Sequence, residues 1–342
     1  MEIHYGPETI TVGIPASNLA FDLYPQKFSA HVDPAESIFT ALADPIGSPP
    51  LKQIVRPTDQ VVILADDMTR LTPSAVIIPF ILNELNAAGI PDERIKVIVA
   101  GGSHRHMTVE EKVRKFGPEV MRRVPIRDHD YLHEDHLLDY GVTSRGTRIW
   151  VNKEAMEADI RIAVGVIFPH FPAGWGGGAK MMLPGIAGDA TTAQMHLLGV
   201  TDPTVQLGMI DTTTRQEMED FAARMGLHFI VNVVLDGEGR AAGTFAGDFV
   251  QAHRAGVAFA RQIYEAPFDE TADLVLVSTY PIDKDYFQCM KGLYAADLTV
   301  KDGGEVILIS PMYEGMAPTH REALRLEGLT IPQALAGMEA GE

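Results

Sequence analysis

Apolar residues along the chain fall into short β-branched blocks that alternate with longer stretches of helical period. Residues 60–64, 95–100, 160–168, 229–235, 273–278 and 305–310 are apolar runs of strand length and read as buried strands. Residues 74–88, 211–225 and 248–264 carry apolar positions at helical spacing, and Gly89 stands where a helix-closing glycine belongs. Thr108 and Glu111 have the spacing of a capping box and start a further helix. Residues 10–14 alternate like a strand, within a stretch 1–50 otherwise read as short strands and proline-rich loops. The repeated unit is strand, polar loop, helix. That alternation predicts an α/β fold of two domains with mainly parallel, doubly wound sheets and an active site in the interdomain cleft. The expected division is 1–267, carrying the histidine motifs, and 268–342, a short second α/β domain.

In such sheets ligands bind beyond the carboxyl ends of the strands. Asp67, Arg70, His104 and His170 all fall at such ends. The densest stretch runs from 166 to 188. There His170 is followed by Gly174, Gly176, Gly177 and Gly178, then Lys180, with His196 sixteen residues further on. Successive glycine amides can form a nest for an anion; the plainer alternative is a tight strand–loop–helix turn with a surface lysine. Two histidines at strand ends suit a general acid and base, since imidazole titrates near neutrality. Arg70 and Lys291, with Gln288 nearby in sequence, can clamp a carboxylate. Asp66 and Asp67 can bind a cation, orient a histidine, or complement a helix N-terminus.

A second histidine group lies at 127–140, where His129, His133 and His136 sit among acidic residues. His133 and His136 read as a possible metal pair on a helix, but a solvated charged loop is the reading adopted, with His129-Asp130 kept as a candidate. His253, inside a helix, reads as packing. There is no Gly-x-Gly-x-x-Gly on a βα turn and no Walker sequence, so an ordinary nicotinamide or nucleoside triphosphate site is not expected.

Composition narrows the classes further. The 342 residues are 46% hydrophobic and 22% charged, a globular balance, with a net charge of −18. So acidic a chain is not expected to bind nucleic acid or an anionic membrane surface. Cys289 is the single cysteine, which leaves no intrachain disulfide and no thiolate zinc cluster. The N-terminus lacks a signal-peptide pattern and no apolar run reaches the ~18 residues of a membrane span, so a cytoplasmic location is expected.

Several separated blocks together resemble a known family. They are Asp66-Asp67-Met68-Thr69-Arg70-Leu71-Thr72-Pro73, Gly102-Ser103-His104-Arg105, His129-Asp130, Thr143-Ser144-Arg145-Gly146-Thr147, Trp150-Val151-Asn152, Pro169-His170, Gly177-Gly178-Ala179-Lys180, Pro184-Gly185-Ile186, and Gln288 with Lys291. In order and spacing they are similar to the nickel-pincer-dependent lactate racemase family of 2-hydroxyacid racemases and epimerases. The resemblance implies a nickel-pincer nucleotide, a pyridinium mononucleotide whose thioamide and thiocarboxylate hold nickel. It implies Lys180 as the residue tethered to it, Gly176, Gly177 and Gly178 facing its phosphate, and His196 as a nickel ligand. His104 and His170 would be the paired catalytic acid and base. Asp67, Arg70, Gln288 and Lys291 would bind the small 2-hydroxy acid. The enzymes that make the cofactor would be partners. This chain departs from many relatives in lacking a serine near Gly176 and a basic residue near Ala179, and its second domain is expected to be shortened. Two other readings fit the same residues: a non-catalytic cofactor- or hydroxyacid-binding protein, and a Schiff-base enzyme using Lys180.

Overall fold

In the computed structural model, which describes residues 1–28, 32–317 and 319–340, the apolar runs of the first two-thirds of the chain align in one six-stranded sheet. Its strands are β1 (Val61–Ala65), β2 (Ile95–Val99), β3 (Ile126–Asp128), β4 (Ile160–Val166), β5 (Phe229–Leu235) and β6 (Ala241–Gly247). Their spatial order is β6-β5-β4-β1-β2-β3. All neighbours are parallel except β5 and β6, which are joined by a tight turn and run antiparallel. The chain moves outward from β1 to β2 and β3, then returns to place β4 on the other side of β1. That reversal is a topological switch point, where the loops leaving β1 and β4 diverge and open a crevice.

Every residue of β1, β4 and β5 is buried. Both faces of the sheet are covered, so the runs read as uniformly apolar instead of alternating. Val61, Ile63 and Ala65 point to one core with α1 (Pro34–Ala43), α2 (Ser74–Ala87) and α3 (Val109–Arg123), meeting Ile38, Ile77, Ile81 and Phe116. Val62 and Leu64 point to the other, with Met182, Leu183 and Ile186 and residues of α4 (Asp189–Thr201) and α5 (Thr213–Met225). A third cluster packs Val257, Ala260 and Ile263 of α6 (Gln251–Tyr264) against Ile167, Trp175 and Val234. Truncating such a residue to alanine removes about 2–5 kcal/mol.

Local signals explain the helix ends. Thr108 and Glu111 make both bonds of the capping box, Glu111 N–H to Thr108 Oγ1 (3.2 Å) and Thr108 N–H to Glu111 Oε2 (2.9 Å). Gly89 follows α2 at φ +92°. α1 departs from the expected loop in 1–50. Asp33 caps it by accepting from Ala35 N–H (2.9 Å), Pro34 occupies its first turn, and Ile38 and Leu42 bury one face. The supposed helix carrying His133 and His136 is instead a single 3₁₀ turn, Glu134–His136, preceded by His133 in an extended conformation.

The chain divides into two compact units, Leu19–Glu270, which holds the sheet, and Met1–Asn18 with Thr271–Glu342. In the smaller unit, strands Ala272–Ser278 and Val300–Ile309 pair in parallel. The antiparallel N-terminal hairpin, Glu2–Tyr5 with Glu8–Thr11, joins them: Ser278 Oγ–H donates to the His4 carbonyl (2.7 Å), and His4 stacks on Tyr280 at 4.6 Å. Among the described residues, no helix is long and apolar enough to cross a membrane.

Candidate active site

The loop leaving β1 begins with two buried carboxylates. Asp67 Oδ2 lies 2.6 Å from His104 Nδ1, while Oδ1 accepts from Thr69 N–H (2.9 Å) and Thr69 Oγ1–H (2.5 Å). Both oxygens are engaged, so the carboxylate cannot rotate without losing a partner. Burial by itself would raise the Asp67 pKa, but the His104 imidazole, Arg70 and the Thr69 hydroxyl outweigh it and hold the carboxyl far below its ordinary range. His104 arrives on the loop after β2. That loop is fixed where Gly102, at φ +58°, donates its N–H to Gly185 O (2.9 Å) and passes close to Pro184.

Asp66 does different work. It accepts from the Thr72 hydroxyl and pairs with Lys115 Nζ at 2.7 Å, and Lys115 also donates to the Arg70 carbonyl (2.8 Å). The Arg70 backbone is thereby tied to α3. Arg70 Nη1 donates to Thr69 O (3.0 Å) and Thr69 Oγ1 (2.9 Å), and its guanidinium sits 5.2 Å from the centre of the Phe168 ring. Phe168 in turn meets the buried His170 edge to face, 5.9 Å between centroids. The contacts His104–Asp67–Thr69–Arg70–Phe168–His170 thus join the ends of β1, β2 and β4 at the switch point. The loops at 65–74, 101–107 and 169–180 come together as the strand-end argument requires.

The glycine cluster is a packed turn, and its hydrogen-bonding groups are largely turned inward. Gly176 N–H donates to Phe168 O (2.8 Å), and Gly178 N–H donates to Asn232 Oδ1 (2.8 Å). On the carbonyl side, Arg215 donates to Ala173 (3.2 Å), Trp175 and Gly177 (3.5 Å), and His253 Nε2–H donates to Gly176 (2.8 Å). Two of the amides that a nest would present to an anion are therefore used within the protein. Glycine is needed at 177 and 178 because φ is positive and the backbone passes against Asn232 and His253. Arg215, Asn232 and His253 were not among the expected site residues. Asn232 interrupts the apolar run 229–235 and so announces a buried polar group, but not its partner; Arg215, in a polar stretch of its helix, carries no such signal. The fully buried His253 imidazole has its pKa pushed well down, by burial and then by Arg215. It is neutral and structural.

Lys180 follows on the same turn, half-buried. Burial, then Arg70 and Arg215, pull its pKa down to about 7 against the opposing pull of Asp67 and Asp66. His196 lies on α4, also half-buried. It shares a helix face with Gly199, three residues on, whose missing side chain lets α4 press against Pro172 in the loop after His170. Gln288 and Lys291 belong to the smaller unit, where Lys291 Nζ donates to Gln288 Oε1 and Gln288 is buried behind the Asp285 cap. His129 is a packing residue. Its Nε2–H donates to Ala187 O (2.9 Å), Nδ1 accepts from Asn152 Nδ2 (3.0 Å), and burial lowers its pKa to about 4.

Arg70 acts on Asp67 and Lys115 pairs with Asp66, so the two carboxylates are matched by two cations, and Arg70 together with Arg215 acts on Lys180.

Comparison with known proteins identifies relatives of this chain. Residues 5–208 match the family model described as the lactate racemase N-terminal domain. The chain is 34% identical over 321 residues to lactate racemase of Lactiplantibacillus plantarum and 30% identical to that of Thermoanaerobacterium thermosaccharolyticum. Each match covers 92% of this chain and 75% of the relative. The solved structure of the Thermoanaerobacterium thermosaccharolyticum lactate racemase apoprotein superposes with a TM-score of 0.83 at 30% identity, again covering 92% and 75%. A Thermotoga maritima crystal structure, 20% identical with a TM-score of 0.64 over 80% of this chain and 69% of its own, shares the fold.

Proposed function

The chain belongs to the lactate racemase family, and from that premise we propose that it is an isomerase that inverts C2 of a small 2-hydroxy acid such as lactate. The observation that carries this reading is the Asp67–His104 pair, linked through Arg70 and Phe168 to a second histidine, His170. Inversion needs proton exchange with the C2 hydroxyl on both faces of the substrate, and two histidines from different strand ends supply it. Asp67 engages Nδ1 of His104, so the substrate proton is taken or returned at Nε2. Arg70, its fork held by Thr69 and its backbone by Lys115, binds the substrate carboxylate. Gln288 and Lys291 are assigned to that carboxylate by family resemblance.

Breaking the C2–H bond as a hydride requires an acceptor that no side chain provides. When bound, the family's nickel-pincer nucleotide supplies that acceptor. The residues fit such a group in two respects. The Lys180 amine, with a pKa of about 7, is substantially neutral and nucleophilic at neutral pH, as a tether must be. His196 offers an imidazole, a ligand type that nickel favours. The glycine turn contributes less than expected, since the Gly176 and Gly178 amides are already engaged.

The test uses protein co-expressed with the enzymes that make the cofactor. His104→Ala and His170→Ala should each lower racemisation on the order of 10²-fold or more while nickel content is retained. Racemisation at the wild-type rate by the double variant, or complete loss of a C2 deuterium label to solvent, would rule the mechanism out.

A further inference from the structure

Outside this site, the histidines at 129–136 form a cluster that the proposed reaction does not use. Asp130 is held between two anchored residues. His129 on one side is bonded to Ala187 and Asn152, and buried Tyr131 on the other accepts from Asp189 N–H (3.0 Å). Asp130 Oδ1 accepts from the amides of Leu132 and His133, each at 3.2 Å. This pins the carboxylate and directs Oδ2 outward. Two imidazoles converge on that oxygen, His133 Nδ1 at 2.7 Å and His136 Nδ1 at 3.0 Å. The two rings are exposed, 73% and 62%, whereas Asp130 is 19% exposed.

We propose that Asp130, His133 and His136 form a surface metal site for a borderline divalent transition cation of the zinc, cobalt or nickel class. One ligand atom from each residue lies within 4.8 Å of the others, and this is the group of three such residues found among the described residues. Ligand–metal distances of about 2.0–2.2 Å put neighbouring ligand atoms roughly 3–3.5 Å apart, so the observed oxygen–nitrogen separations need to open by only a few tenths of an ångström. The side chains that must adjust are the exposed imidazoles; the half-buried carboxylate is already in place. A neutral imidazole binds the cation through Nδ1 and carries its proton on Nε2, which water can solvate at these exposed rings. Two nitrogens and one oxygen favour this metal class over calcium or magnesium, which take all-oxygen shells. The remaining coordination positions face solvent. The ligands do not overlap the residues assigned to the substrate or the cofactor, so this inference stands independently of the proposed reaction.

Untagged, metal-free full-length protein should be titrated calorimetrically with zinc alone, and in parallel with cobalt, read by its visible absorption. Saturable binding should be lost in His133→Ala/His136→Ala and weakened about 10-fold or more in Asp130→Asn. His196→Ala should leave it unchanged. As a check that needs no variant, zinc should protect His133 and His136 of the wild type from diethyl pyrocarbonate, read by peptide mass. Absence of saturable binding, equal binding by the double variant, or modification unaffected by zinc would overturn the assignment.

Discussion

Replacing Asp67 by asparagine changes the charge and one donor while keeping the shape. In the native site Asp67 Oδ2 accepts the Nδ1–H of His104, leaving Nε2 with a lone pair to act as a base. The amide oxygen of asparagine still satisfies the two Thr69 donors, which turns its NH₂ toward His104. Nδ1 must then accept, and the imidazole proton moves to Nε2, the wrong tautomer for a base. The same inversion in a serine protease triad is worth about 10⁴ in kcat. Each direction of racemisation uses His104 once, as base or as acid, and an equilibrium constant of one ties the two directions together, so a loss on the order of 10²–10³-fold in kcat/KM is expected in both. Global stability should change less, since a hydrogen bond to a charged group contributes about 1.5–3 kcal/mol and removing the buried charge also removes its desolvation cost. Because the folded Asp67 pKa is depressed, its contribution is fully present above the unfolded value of about 4 and declines as pH falls below it. The Tm gap between wild type and Asp67→Asn should therefore narrow in acid. Chiral chromatography of racemisation started from each enantiomer gives the rate, and ¹⁵N shifts of the His104 ring give the tautomer. A wild-type rate together with an Nε2-protonated ring would refute the role of Asp67 as orienter.

Lys180 binds its proton more weakly in the folded than in the unfolded chain, so its cost to stability is fully present below pH ~7 and declines as pH rises from there toward the unfolded pKa of about 10.4. Lys180→Met should therefore raise Tm more at about pH 6 than at about pH 9, read by calorimetry; an equal gain at both would contradict the depressed pKa. Gly174→Ala places a methyl group at φ +70° against the Met209 carbonyl and should destabilise by about 2 kcal/mol or more, measured by urea unfolding.

The fold was legible where one physical signal dominated. Val61–Ala65 and Phe229–Leu235 are apolar throughout because both faces of their sheet are covered, and such runs announce themselves. α1 is masked in the sequence: Asp33-Pro34 and the Ile38/Leu42 spacing are helix-start and helix-face signals, but the prolines around it point to loop. β6 carries little apolar signal, with Gly243, Thr244 and Gly247 among its residues, and only its pairing with β5 makes it a strand. Its formation depends on a neighbour, which a local pattern does not register.

The site divides along a similar line. Residues that must meet a ligand at a strand end are placed by topology, and topology follows from the order of the runs, so Asp67, Arg70, His104 and His170 could be grouped from sequence. The residues that hold the turn rigid come from far along the chain. Arg215 reaches Ala173, Trp175 and Gly177 from α5, Asn232 reaches Gly178 from β5, and His253 reaches Gly176 from α6. Nothing local distinguishes them from a helical arginine or a core asparagine. The same distance explains why the glycines looked like an anion nest. A run of glycines specifies only that the backbone comes close to something, and whether that partner is a phosphate or a buried side chain depends on elements more than thirty residues away. At Gly177 and Gly178 that partner is the protein itself. With the Gly176 and Gly178 amides engaged, the turn's rigidity is a large part of what it offers the site: it holds Lys180 where Arg70 and Arg215, added to burial, bring its amine to about 7.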